Sequence, residues 1–337
     1  MNIEKLSEIL KEQPKFRFKQ AEQALYKDFV SSWQEVSGFP KDLRLKLEEE
    51  CPLNIEAEVF SGGLGKGGDK ALISLIDGET VETVLIKQKS GSDFRYTVCV
   101  SSQVGCALAC TFCATGDFGF RRNLSANEIL EQVIYWARVL KEKDAKIDNI
   151  VFMGMGEPFL NYQEFIKTVK FLNDPETFNI GARRLSVSTC GITEGIKKLS
   201  GEKLQINLAI SLHAADDALR GDLMPIAKKY SLYEIFKAVD NYINKTGRRV
   251  MFEYLMIREI NDSDKEALKL AKLMNKPLYM LNLIPYNSTG RFEASSEKRI
   301  EKFKSVLEKE GIPVTVRRSF GAEIGAACGQ LKGRKRG

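Results

Sequence analysis

Histidine is almost missing: His213 is the only one in 337 residues. The only imidazole lies about a hundred residues along the sequence from the cysteine-rich segment at 106–116. No apolar run approaches the ~20 residues of a membrane span, so no membrane partner is expected. The N-terminus, "MNIEKLSEIL", carries acids where a secretory signal needs a basic start and an apolar core, and a cytoplasmic protein is expected. Glycine and proline are sparse enough for an ordinary globular chain, and there is neither a low-complexity linker nor a fixed-length repeat. Charge excess is small, 51 basic against 45 acidic residues, a net +6. Cysteine is scarce too, with seven in all. In a reducing compartment, clustered cysteines point to metal or redox chemistry rather than to structural disulfides.

The basic residues are gathered into pairs and clusters: "KFRFK" at 15–19, Arg121-Arg122, Arg183-Arg184, Arg248-Arg249, Arg317-Arg318 and the terminal "KGRKRG". Such clustering suits a polyanionic partner, and equally a solvated surface with a basic tail. Residues 1 to about 50 have apolar positions three and four apart and are expected to be helical. Residues 54–90 switch to short strand patterns separated by "GGLGKGGD" and "DGE". From about residue 96 strand and helix alternate six times, beginning with "YTVCVSS" and the helix "SANEILEQVIYWARVLKEK". Ser125 is placed to cap that helix, with Ile129, Val133 and Ala137 on one face. Alternation of this kind implies a parallel sheet covered by helices. Six units suit a partial (β/α)6 barrel, with a doubly wound sheet as the other arrangement.

Ligands bind such barrels at the C-terminal ends of the strands, and the unusual residues fall there. "CALACTFCATG" at 106–116 follows the first strand and spaces its cysteines Cys-x3-Cys-x2-Cys. "GMGEP" at 154–158 follows the second strand. Ser188 closes the third, "SLH" at 211–213 the fourth, and Asn287 follows the sixth. Three thiolates on a short loop suit three irons of a [4Fe–4S] cluster, leaving the fourth iron open. A structural zinc site would need Cys99 as a fourth ligand, and Cys99 lies in the strand pattern rather than in the loop. Alone, "GMGEP" reads equally as a tight turn, and His213 as a satisfied strand-end histidine.

Taken together, "CVSSQVGCALACTFCATG", "GMGEP", "SVSTCG", "SLHA" and the terminal "AACGQL" resemble the RlmN/Cfr family of radical S-adenosylmethionine RNA adenosine methyltransferases. The resemblance covers essentially the whole chain. It implies that Cys106, Cys110 and Cys113 ligate the cluster. It implies S-adenosylmethionine contacts at Gly156, Glu157, Ser188, Ser211, Leu212, His213 and Asn287. Cys328 matches the cysteine that is S-methylated, Cys99 its resolving partner, and Glu82 a proton acceptor. Cys190 departs from the family's pattern, which often has serine or another small residue there; it reads as a buried filler. Cys51 matches nothing catalytic and reads as structural.

The implied reaction explains why two isolated cysteines are present. Adenine C2 and C8 offer no lone pair for polar attack on a sulfonium methyl group, so a carbon radical is needed. One S-adenosylmethionine methylates Cys328, and a second supplies the radical that activates that methyl group. The methylene then bonds to adenine, a base removes the ring proton, and Cys99 attacks the Cys328 sulfur to release methylated RNA. The implied organisation is a helical accessory domain at 1–53 that binds RNA, a β extension at 54–95, the barrel at 96–321, and a tail at 322–337 carrying Cys328. The implied partners are 23S rRNA in its peptidyl-transferase loop, tRNA beside the anticodon, and an external electron donor; the chain is expected to be a monomer. Within the family, C8 methylation is the rival to C2. Outside it, the rival is a non-catalytic, metal-containing RNA-binding protein.

Overall fold

A computed structural model describes residues 1, 3–62, 67–317 and 321–332. Three helices lead the chain: α1 (Ile3–Lys11), α2 (Phe16–Tyr26) and α3 (Lys41–Glu50). They enclose their own apolar core around Leu10, Leu25, Trp33 and Leu47. Cys51 lies in that core, and its carbonyl accepts a 2.8 Å hydrogen bond from the Trp33 indole.

A meander follows: β1 (Ala57–Ser61), β2 (Gly68–Ser74), β3 (Thr80–Ser90) and β4 (Asp93–Cys99), each antiparallel to the next. The boundary at residue 95 read from the sequence falls inside β4. From β4 onward the sheet turns parallel, through β7 (Asn149–Phe152), β8 (Leu185–Thr189), β9 (Asn207–Ser211), β10 (Val250–Met256), β11 (Tyr279–Pro285) and β12 (Val314–Val316). Strand order equals chain order across all ten strands. This is the winding of a barrel, whereas a doubly wound sheet reverses its order part-way.

The helices on the outside are α5 (Ala126–Lys141), α6 (Tyr162–Asn173), α7 (Thr193–Leu199), α9 (Leu232–Thr246), α10 (Asp264–Leu273) and α11 (Glu297–Lys309), one after each parallel strand from β4 to β11. Ser125 and Glu128 form the capping box that starts α5. Ile129 and Val133 are buried in the barrel core, each contributing roughly 1.5–3 kcal/mol, while Ala137, also buried, borders a pocket shared with Phe29 and Phe178. The opposite side of α5 receives the N-terminal helices through Ile134. Two short helices, α4 (Ala114–Phe118) and α8 (Asp217–Leu223), and a hairpin of β5 (Gln103–Gly105) with β6 (Phe120–Asn123) had no signature in the periodicity. All of them border the strand ends where the cysteines lie.

Candidate active site

The cysteine loop hangs from the β5–β6 hairpin. Gly105 sits at φ +74°, and a Cβ there would stand 1.6 Å from the Gly119 carbonyl oxygen, so only glycine closes the hairpin. The Cys106 N–H donates to that same oxygen at 3.1 Å. Further along, the Thr111 N–H donates to the Leu223 carbonyl at 2.9 Å, tying the loop to α8. Cys106, Cys110 and Cys113 all border one cavity. Burial pushes the Cys106 thiol up to about 12, and burial with the neighbouring Cys110 raises Cys113. Desolvated thiols facing one another need a cationic group between them to ionise. Three cysteine thiols on one short loop, all bordering one cavity, are a donor set that fits an iron–sulfur cluster with one open position.

The neighbouring walls come from the ends of β7, β8 and β9. Gly156 has φ +95°, and a Cβ there would meet Gln103 at 2.5 Å. Glu157 is buried; its carboxylate accepts from the Phe159 N–H at 3.0 Å and the Cys190 N–H at 2.7 Å. Burial raises its pKa. The Ser188 and Ser211 hydroxyls lie 3.2 Å apart on the cavity wall. Leu212 is buried beneath that wall, and its contribution is backbone: its carbonyl accepts from Arg220 Nε at 3.1 Å. His213 borders the cavity at φ +61°, with the Phe112 ring meeting it edge-on at 4.9 Å. Its Nδ1 accepts from the Leu255 N–H at 3.1 Å, which leaves the proton on Nε2. Burial first, and Arg220 second, lower its pKa to about 3.

The tail closes the mouth. The Gly329 carbonyl accepts from the Ala114 N–H at 2.7 Å, and the Cys328 carbonyl accepts from Asn287 Nδ2 at 3.3 Å. Asn287 thus holds the tail and is not part of the cavity wall. Exposed Cys328 borders the thiol cavity and also a second, smaller one bordered by Cys99. Cys99 therefore groups with Cys328 and not with the three loop thiols. Glu82 borders neither cavity. Lys70 Nζ donates to one of its oxygens and the Lys332 N–H to the other, both at 2.9 Å, so it anchors the tail.

A family model for the radical SAM superfamily matches residues 100–271. Over 95% of this chain and 92% of its own length, the probable dual-specificity RNA methyltransferase RlmN of Syntrophomonas wolfei is 45% identical. The dual-specificity RNA methyltransferase RlmN of Nautilia profundicola is 44% identical over 95% of this chain and 93% of its own. The crystal structure of a radical SAM methyltransferase from Sphaerobacter thermophilus superposes with a TM-score of 0.91 at 41% identity, covering 98% of this chain and 97% of that one. The chain belongs to the RlmN family within the radical SAM superfamily.

On this RlmN-family scaffold the structure adds residues that the motifs did not reveal. Cys190 borders the thiol cavity beside Cys110, so it is more than a filler of the core. Arg220, fully buried, donates to the carbonyls of Cys190, Ser211 and Leu212 and so welds two strand-end loops together. Glu253 and Arg317 also border the cavity. Glu253 had a signal, an acid inside the apolar strand "VMFEYLMI". Arg317 had none that pointed inward; it reads as half of a surface basic pair, and Arg318 lies outside the described residues. Arg122 likewise departs from the reading as a phosphate grip, because Asp77 and Glu128 already pair with it at 2.7 Å each.

Proposed function

We propose that this chain is a radical S-adenosylmethionine methyltransferase that methylates C2 of an adenosine in the peptidyl-transferase loop of 23S rRNA, and of an adenosine beside the tRNA anticodon. The observation that carries the reading is the position of Cys328, which faces the three loop cysteines across one cavity and Cys99 across another. A non-catalytic RNA-binding protein has no use for that relay. Relatives named dual-specificity RNA methyltransferase RlmN support the RlmN-type reading over the Cfr-type one, and it is the family resemblance that implies C2 and two RNA classes.

Cys106, Cys110 and Cys113 would hold a [4Fe–4S] cluster. When bound, the cluster and S-adenosylmethionine supply the one-electron chemistry that a methyl transfer to an aromatic carbon requires. Gly156 lets the backbone approach the cofactor closely, Glu157 supplies a carboxylate, and Ser188 and Ser211 present hydroxyls. His213 stays neutral and offers its Nε2 proton to the cavity. Cys328 carries the transferred carbon to the base. The resemblance gives the ring proton to Glu82, whose carboxylate lies outside both cavities with Lys70 and the Lys332 N–H on it, so it would accept that proton only once the tail it anchors has moved. Cys99 ends the cycle by attacking the Cys328 sulfur, and an external donor restores both thiols.

The target adenosine must be unstacked to reach the cavity. The module at 1–53 acts as an RNA-gripping accessory domain through exposed Lys15 and Lys19, joined by the basic tail. No helix among the described residues is long and apolar enough to cross a membrane. The reading keeps the enzyme a cytoplasmic monomer. The deciding experiment is mass spectrometry of nucleosides from 23S rRNA and tRNA treated with the reconstituted enzyme. 2-Methyladenosine in both RNAs is expected; 8-methyladenosine, or no methylated adenosine, overturns the assignment.

A further inference from the structure

Arg317 follows β12, where its N–H donates to the Leu283 carbonyl at 2.8 Å and fixes the backbone. Its side chain borders both cavities, as Cys328 does; Cys99 borders the second. The guanidinium's own contacts are weak. Nη1 lies 3.6 Å from the Met153 sulfur, a poor acceptor, and 4.0 Å from Glu253 Oε1. That oxygen already accepts from Asn282 Nδ2 at 3.1 Å. Burial raises the Glu253 pKa and so disfavours its anion. A cation in such a wall needs a negative partner, and Cys328 and Cys99 border the same space as its side chain.

We propose that Arg317 is a positioning residue of the two-cysteine relay, placed to hold negative charge on the Cys328 and Cys99 sulfurs when each acts as a thiolate. The inference rests on the relay reading given above. In the release step the Cys99 thiolate forms an S–S bond to the Cys328 sulfur, and the bond from that sulfur to the RNA-linked carbon breaks. The electron pair leaves with the carbon, which takes a proton and becomes the methyl group. The two sulfurs are oxidised together, and an external dithiol later reduces them. The groups facing Cys99 are Cys328 from the tail and Arg317 from the end of β12, while Glu253 of β10 faces Arg317. Burial and Cys328 push the Cys99 thiol up to about 12, and Arg317 acts in the opposite direction. Facing Cys328 in turn raises the guanidinium's pKa.

The test uses the full chain, reconstituted anaerobically, as wild type, Arg317→Lys, Arg317→Gln, Arg317→Met and Cys99→Ala. The lifetime of the RNA–protein adduct is followed by denaturing gel at fixed pH. The neutral variants should lengthen it about tenfold, and Arg317→Lys should recover most of the effect. Wild-type lifetimes in the neutral variants overturn the proposal. So does an equal lengthening in Arg317→Lys, because charge would then not be the cause. If one neutral variant loses its iron, the other carries the comparison. Cys99→Ala separates the two levels: no adduct in it defeats the relay itself, whereas a trapped adduct alongside unchanged Arg317 variants defeats only the role of Arg317.

Discussion

At the scale of single residues, the two isolated cysteines should fail differently. Cys328→Ala removes the atom that bonds to the base, so no covalent RNA adduct should form. Cys99→Ala removes only the resolving thiol, so the adduct should form and persist, visible as crosslinked RNA on a denaturing gel. Equal behaviour of the two variants would count against the relay. His213 gives a second prediction, because one histidine makes its titration unambiguous. Its pKa falls from an ordinary 6.5 to about 3 in the folded chain. The unfolded chain therefore binds a proton that the folded chain refuses. The contribution to stability is complete above pH 6.5 and is lost as pH falls toward 3, at up to about 1.4 kcal/mol per unit. Denaturant melts between pH 7 and 4 should show this slope in the wild type and a shallower one in His213→Gln. Imidazole NMR showing ordinary titration near 6.5 would contradict it.

Elements decide whether the cysteines can act together. The β5–β6 hairpin is short, and its closure depends on Gly105 standing against the Gly119 carbonyl. Gly105→Ala places a methyl group into backbone and strains a positive φ, which should cost about 2 kcal/mol or more. Iron content after anaerobic reconstitution should fall in that variant, from about four per chain toward none. Gly119→Ala is the informative control. It also has positive φ, +78°, but nothing within 4 Å of the added carbon, so it should lose stability and keep more of its iron. Retention of full iron by Gly105→Ala would show that the hairpin does not set the loop. The tail is a second such element, held by Asn287, by the Ala114 N–H and by Glu82.

The whole molecule is where RNA recognition belongs. Of the basic clusters read from the sequence, Arg122 is already paired with acids and Arg317 lines a cavity, while Lys15 and Lys19 remain exposed on the N-terminal module. Arg334, Lys335 and Arg336 lie outside the described residues. Neutralising those three together should weaken RNA binding and reduce the salt slope by about 0.7–0.9 per lost phosphate contact. S-Adenosylmethionine cleavage without RNA should not change. An unaltered slope across a salt series would return the tail to a solvated surface.

The sequence by itself determined the partial barrel, since strand and helix periodicity recur six times and each is a local property. It determined the cysteine loop as well, because ligand spacing on one short segment survives any tertiary arrangement. The start of α5 was legible in Ser125, as a cap acts within one turn. Tertiary structure alone decided which distant residues meet. Cys99 and Cys328 are separated by most of the barrel in sequence, and only the return of the tail across the mouth brings them to one cavity. The same holds for Arg317, whose neighbours in sequence suggest a surface pair, and for Glu82, whose carboxylate is occupied by Lys70 and Lys332. Burial is a property of the closed sheet, so what a charged residue does could be read only after the sheet had closed.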